Sequence, residues 1–214
     1  MKEIITDIEK LGDTAEVINP TKENALMREI ILELKEVVRE KNLVGLSAPQ
    51  IGYNKRIFVI NFKGDLRTFI NPIITQVKGF ELSKEQCSSL PGKTFIRPRN
   101  NDIRAIYLTP LEKIQEQRFI GKAAEVFQHE LDHLNGLLIS DIGLEIDDDY
   151  EKASEEERLQ IINTYMDSLD IKHKDINKII EEDEELKKMS DAIDFMTKVQ
   201  TGEVKLEYVD KNRE

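Results

Sequence analysis

The chain has 214 residues, 39% of them hydrophobic and 34% charged, with a formal net charge of −11. That length suffices for one domain with a genuine core plus an appendage, and no apolar run approaches the roughly 18 residues of a membrane span. A lone cysteine, Cys87, excludes an intramolecular disulfide.

The charge is uneven. Of the 42 acidic and 31 basic residues, residues 145–214 hold 22 and 11, which leaves 20 of each in residues 1–144. The acidic segment repels phosphate backbones, so direct nucleic-acid binding is not expected. The N-terminus, Met1-Lys2-Glu3-Ile4-Ile5, lacks the basic-then-apolar order of a signal peptide. A cytoplasmic, membrane-free monomer is the expectation.

Asn19-Pro20 reads as an N-cap followed by proline at the first helical position. Leu26, Ile30, Leu34 and Val37 recur at helical spacing, which predicts an amphipathic helix over about 20–41. The stretch from Val44 to Gly52 is too rich in Gly and Pro to predict a regular element. Ile57-Phe58-Val59-Ile60 predicts a buried strand. Phe69 to Ile74 predicts an edge or broken strand, because Pro72 cannot donate to a ladder. Ile103–Leu108 and a short stretch near Gln117-Arg118-Phe119 complete a largely antiparallel set, and Gly121 opens a further helix. This order predicts an α+β fold, a twisted antiparallel sheet packed around a central helix.

From about Asp147 the texture changes. Ser154-Glu155-Glu156-Glu157 fits a capping box, and Leu159, Ile162, Met166 and Leu169 continue at helical spacing. Further helices are expected near residues 174–189 and from Ser190. The expected division is a main unit over 1–146 and an acidic helical extension over 147–214.

The most informative stretch is Gln128-His129-Glu130-Leu131-Asp132-His133. Two histidines four apart on a helix lie roughly 40° from one another, so both imidazoles can reach one metal. Glu130 projects beside them and can handle a proton of a metal-activated water. A third protein ligand is required, and Cys87 or a downstream carboxylate could supply it. His173, among lysines, reads as a solvated surface residue.

Three segments resemble the three motifs of peptide deformylases, in the family's order. They are Leu43-Val44-Gly45-Leu46-Ser47-Ala48-Pro49-Gln50-Ile51-Gly52, Glu85-Gln86-Cys87-Ser88-Ser89, and Gln128 to Gly136. The resemblance covers the chain to about residue 144. It implies metal ligation by Cys87, His129 and His133, usually of ferrous iron, with zinc, nickel or cobalt able to occupy the site. It also implies Glu130 as general acid and base, and Gln50 with the Ser88 backbone N–H as donors to the formyl oxygen. Gly45, with Val44 and Gln86 beside it, falls where the substrate backbone lies. The implied reaction releases formate from N-formyl-methionyl peptides, on nascent chains near ribosomes.

Each residue also has a structural reading. Gly45 could serve only a turn needing positive φ, and Gln50 could simply satisfy loop carbonyls. Glu85 could brace the cysteine segment by pairing with Arg97 or Arg99, and Asp132 could pair with a basic residue. Four positions depart from the family pattern: Leu43 replaces Gly, Ser47 Ala, Gln86 Gly and Ser88 Leu. Ser88 removes apolar surface where the family binds methionine, so an altered side-chain preference is expected. Two other readings compete: a zinc peptidase taking its third ligand from the acidic tail, and a deformylase-like binder of protein N-termini without turnover.

Overall fold

The computed structural model describes residues 2–182, with side chains through residue 169. Two antiparallel sheets enclose one helix. The larger has the order β1 (Gly45–Ser47), β2 (Ile57–Phe62), β3 (Asp65–Lys78), β6 (Asp102–Leu108), β7 (Ile114–Ile120). The smaller has the order β4 (Glu81–Glu85), β5 (Thr94–Arg99), β8 (Leu144–Ile146). The helices are α1 (Asn24–Glu40), α2 (Lys122–Leu134), the short α3 (Ile139–Ile142) and α4 (Asp148–Lys152), and α5 (Glu155–Glu182). None of the described helices is long and apolar enough to cross a membrane.

The predicted helix over 20–41 begins later, at Asn24. Asn19 does cap, but its side chain accepts from the N–H groups of Thr21 and Lys22, both at 3.1 Å, and so closes a turn before the helix. At the other end Asn42 takes φ of 51°, which leaves Leu43 ordinary backbone angles. Met27, Ile30, Leu34 and Val37 are buried against Leu46, Ile57 and Val59.

The region 44–52, expected to be irregular, holds a short strand and a 3-10 turn. Gly45, Leu46 and Ser47 pair with Ile60, Val59 and Phe58. Strand β3 runs on through Pro72, but it pairs with β2 only as far as Ile70, so the expected edge character holds at Pro72, which has a strand neighbour on one side only. Proline is accommodated because the register with β6 shifts between Ile70 and Ile73. Asn71 supports the kink at φ of 48°, its side chain accepting from Ile18 N–H at 3.1 Å and donating to Ile18 C=O at 2.8 Å.

Helix α2 is fixed by aromatic packing and by its end. Phe127 meets Phe58, Phe69 and Phe119 with ring centroids 5.0, 5.2 and 4.8 Å apart. The Arg56 guanidinium, fully buried, donates to Leu134 C=O and Asn135 Oδ1, both at 3.0 Å. A cation among the last carbonyls of a helix suits the macrodipole as well as the orphan acceptors.

The C-terminal part is not detached. Strand β8 pairs with β5, and Tyr165 of α5 is buried, its hydroxyl donating to Ile142 C=O at 2.8 Å. Ser154 and Glu157 form the expected capping box, with Ser154 N–H to Glu157 Oε2 at 2.8 Å and Glu157 N–H to Ser154 Oγ at 3.3 Å. Leu169 is buried as expected, but Leu159 is exposed and Tyr165 takes the inward position. The separate helix expected near residue 174 is instead a continuation of α5, and the one from Ser190 lies outside the described residues. The His173 side chain also lies outside them.

Candidate active site

Three elements converge on one point. Helix α2 presents His129, Glu130 and His133, the loop after β4 presents Cys87, and the 3-10 turn Ala48–Ile51 presents Gln50. Candidate ligand atoms of Cys87, His129 and His133 all lie within 4.8 Å of one another, and Cys87 Sγ is 3.2 Å from His133 Nε2. Carboxylates of the tail contribute no such group among the described residues.

The expected bracing role of Glu85 is specific in its partner. Its carboxylate accepts from Arg99 Nε at 2.7 Å and Nη2 at 2.9 Å, and it meets His129 Nδ1 at 2.8 Å. Arg99 also donates to Asp132 Oδ2 at 2.6 Å, and Asp132 pairs in turn with Arg97. A buried chain of alternating charge thus fixes one ring nitrogen of His129 and leaves Nε2 free to face Cys87. Burial pushes the Glu85 carboxyl up, but Arg99 and His129 outweigh it and hold the group well below the usual carboxylate range.

Electrostatics divides the three reactive groups. Burial raises the Cys87 thiol, yet hydrogen bonds and charge from His129 and His133 bring it down to about 5. Burial depresses His129, but contacts with Cys87 and Glu85 and the Glu130 charge raise it to about 10. Burial pushes Glu130 up to about 8, with the Cys87 charge adding to the effect and His129 opposing it. Glu130 Oε2 and His133 Nδ1 are buried without a hydrogen-bond partner. A thiolate–imidazole pair, a second imidazole and an orphaned carboxyl form a donor set that fits a divalent cation of borderline softness.

Gly45 does not serve a left-handed turn, since its φ is not positive. It is required by contact: a Cβ there would stand 2.4 Å from Glu130 Oε1 and 3.0 Å from Glu130 Cδ. The Gln50 side chain is buried. Its Oε1 accepts from Ser47 N–H and Ser47 Oγ at 3.0 Å each, a capping box that turns the amide nitrogen toward the cluster. Nε2 donates to Ser89 Oγ at 3.1 Å and Ser88 Oγ at 3.3 Å, and lies 3.6 Å from Cys87 Sγ. The alternative of Gln50 satisfying loop carbonyls therefore fails, and Ser88 aims its hydroxyl at Gln50. Gln86 lies along the rim and donates to Thr94 Oγ1 at 3.0 Å, while Val44 is exposed on the other side.

A cavity of about 820 Å³ reaches Cys87, His129, Glu130, Gln50, Gly45 and Ser88. Sequence reasoning missed Lys122 and Glu125, which also line it. Their spacing from His129, seven and four residues on the same helix, was the available signal.

A buried, hard-to-ionise carboxyl beside a thiol and two imidazoles is the equipment of a metal-dependent hydrolase. The sequence pattern of the polypeptide deformylase family matches residues 1–147. The peptide deformylase of Dictyoglomus turgidum is 33% identical over 147 residues, covering 66% of this chain and 95% of that protein. The crystal structure of the Thermotoga maritima peptide deformylase superposes with a TM-score of 0.60 at 32% identity, covering 66% of this chain and 95% of that one. The Legionella pneumophila peptide deformylase gives a TM-score of 0.61 at 25% identity, over 81% of this chain and 98% of that one. That share exceeds what residues 1–147 make up, so the likeness runs into the C-terminal part. The chain belongs to the peptide deformylase family. Membership sets aside the zinc peptidase with a tail ligand.

Proposed function

We propose that the protein removes the N-formyl group from the N-terminal methionine of newly made polypeptides, releasing formate. The observation that carries this reading is the Cys87, His129, His133 cluster, within 4.8 Å, beside a partnerless Glu130 oxygen. Cys87, His129 and His133 would hold one divalent ion, ferrous iron in the cell. When bound, that ion polarises a carbonyl and lowers the pKa of water.

The chain's own residues do the rest. Glu130 takes a proton from the attacking water and returns it to the departing amine nitrogen as the formyl C–N bond breaks. Its folded environment supports this, because burial disfavours the charged carboxylate and so raises its affinity for the proton it has to take up. Gln50 Nε2 and the Ser88 backbone N–H donate to the formyl oxygen as negative charge grows there. The amide has two N–H groups facing three acceptors, so donation to the formyl oxygen takes the place of one of these contacts. Gly45, Val44 and Gln86 flank the substrate backbone.

Residues 1–146 form the hydrolase unit and residues 147–214 an acidic extension, supported by the match over 1–147. The partner is the N-formylated nascent chain as it leaves the ribosome. Anaerobic iron loading followed by a formate-release assay on a formyl-Met peptide tests the reading. One bound metal with formate production is expected, and metal-loaded protein that binds the peptide without releasing formate would identify a binder instead.

A further inference from the structure

Helix α2 makes the cavity wall polar where it passes the metal-ligand cluster. Positions 122, 125, 126 and 129 share one face by the three-and-four spacing of a helix, and all four line the cavity. Of the first three only Val126 is apolar. Lys122 and Glu125 form an ion pair across one turn, with the glutamate side chain 12% exposed and the lysine side chain 66%. Elsewhere in the lining Gln86 donates to Thr94 Oγ1, and Leu43, Val44, Leu90 and Pro91 contribute apolar surface.

A mostly buried carboxylate whose lysine partner stands in solvent is a standing hydrogen-bond acceptor in that wall. An apolar side chain pressed against it strips water from the ion pair and returns no hydrogen bond. A polar side chain of the same length restores those bonds: its amide N–H donates to Glu125 and its carbonyl accepts from Lys122. Glutamine and methionine are close in length and both unbranched, so they isolate this difference from size.

We propose that the Lys122–Glu125 wall broadens the substrate class, so that N-formyl peptides beginning with an unbranched polar residue are accepted nearly as well as formyl-methionyl peptides. This rests on the hydrolytic reading above. It adds the first turn of α2 to Ser88 as a source of altered preference.

The test compares kcat/KM for formyl-Met-Ala-Ser and formyl-Gln-Ala-Ser with the metal-loaded full chain. An apolar pocket rejects a buried, unpartnered amide by on the order of 10- to 100-fold. Here the Met-to-Gln ratio is expected below about tenfold, and Lys122→Leu with Glu125→Leu should raise it at least about fivefold. A wild-type ratio at or above tenfold, or a smaller rise in the double variant, overturns the proposal. Equilibrium binding of the same two peptides to the metal-loaded Glu130→Gln chain gives the ratio without turnover. Absence of formate from both peptides would count against the hydrolytic reading, and the binding ratio then decides this one on the same thresholds.

Discussion

Glu85→Gln probes the charge chain behind His129. The native carboxylate accepts at 2.7 and 2.9 Å from Arg99 and meets His129 Nδ1 at 2.8 Å, all away from water. The amide keeps one accepting oxygen, loses the charge, and turns an N–H₂ group toward either Arg99 or His129. Removing one member of a buried ion pair costs about 3–5 kcal/mol, and Asp132 still holds Arg99 at 2.6 Å, which favours the lower end. At about 2–4 °C per kcal/mol for a domain of this size, Tm should fall by about 6–12 °C. Because the network also orients an imidazole of the proposed metal site, metal affinity should weaken by about 10- to 100-fold. Thermal melts of the metal-loaded and metal-free protein, with chelator competition, measure both effects. A Tm loss under about 2 °C together with affinity within about twofold of wild type would refute the idea that Glu85 braces the site.

Gly45→Ala places a Cβ 2.4 Å from Glu130 Oε1, so the carboxyl must move; kcat should fall about 100-fold with metal content unchanged, and kcat within about threefold would show that Glu130 tolerates the shift. Cys87→Ala should abolish one-to-one metal retention on gel filtration against a chelator, whereas retained metal would point to a different third ligand. In the metal-free protein, ultraviolet thiolate absorbance should titrate with a midpoint about 5, well below the usual thiol, because His129 and His133 favour the thiolate. Since this pKa is depressed on folding, the thiol's own contribution to stability is complete above the unfolded thiol pKa and is lost as pH falls through about 5; a midpoint above about 8 contradicts it. Tyr165→Phe removes the buried hydroxyl donating to Ile142 C=O and should cost about 0.5–1.5 kcal/mol in denaturant unfolding, more if the orphaned carbonyl stays dry. No change would mean that α5 rests on the core without being held there.

The chemistry was more legible than the fold. His129, Glu130 and His133 follow from helical spacing, whereas Cys87 stood beside the downstream carboxylates as a candidate third ligand until the resemblance to peptide deformylases singled it out. The second sheet escaped because its strands carry no clean alternation: Glu81–Glu85 is mostly polar, and Thr94–Arg99 contains Pro98, which normally argues against a paired strand. Pro98 is tolerated because β8 pairs only with residues 94 to 96 of β5, beyond which that side is open. Pro72 is tolerated for the same reason, since the pairing of β3 with β2 ends at Ile70. Gly45 allowed a reading as a turn glycine with positive φ because a sequence cannot reveal that Glu130, 85 positions away, fills the space where its side chain would be. Leu159 fitted the apolar stripe of α5, but the inward contact is made by Tyr165, whose hydroxyl finds a carbonyl on the core.

The central claim is that the carboxyl of Glu130 works beside a metal held by Cys87, His129 and His133 to release formate. Its most direct test is formate produced per bound metal by wild type and Glu130→Gln, loaded anaerobically and assayed with the same formyl peptide. The expected result is equal metal content, formate matched by free amine in wild type, and a loss of about 10²–10⁴-fold in the variant. Undiminished formate release by Glu130→Gln, or none from wild type carrying a full equivalent of metal, would contradict it.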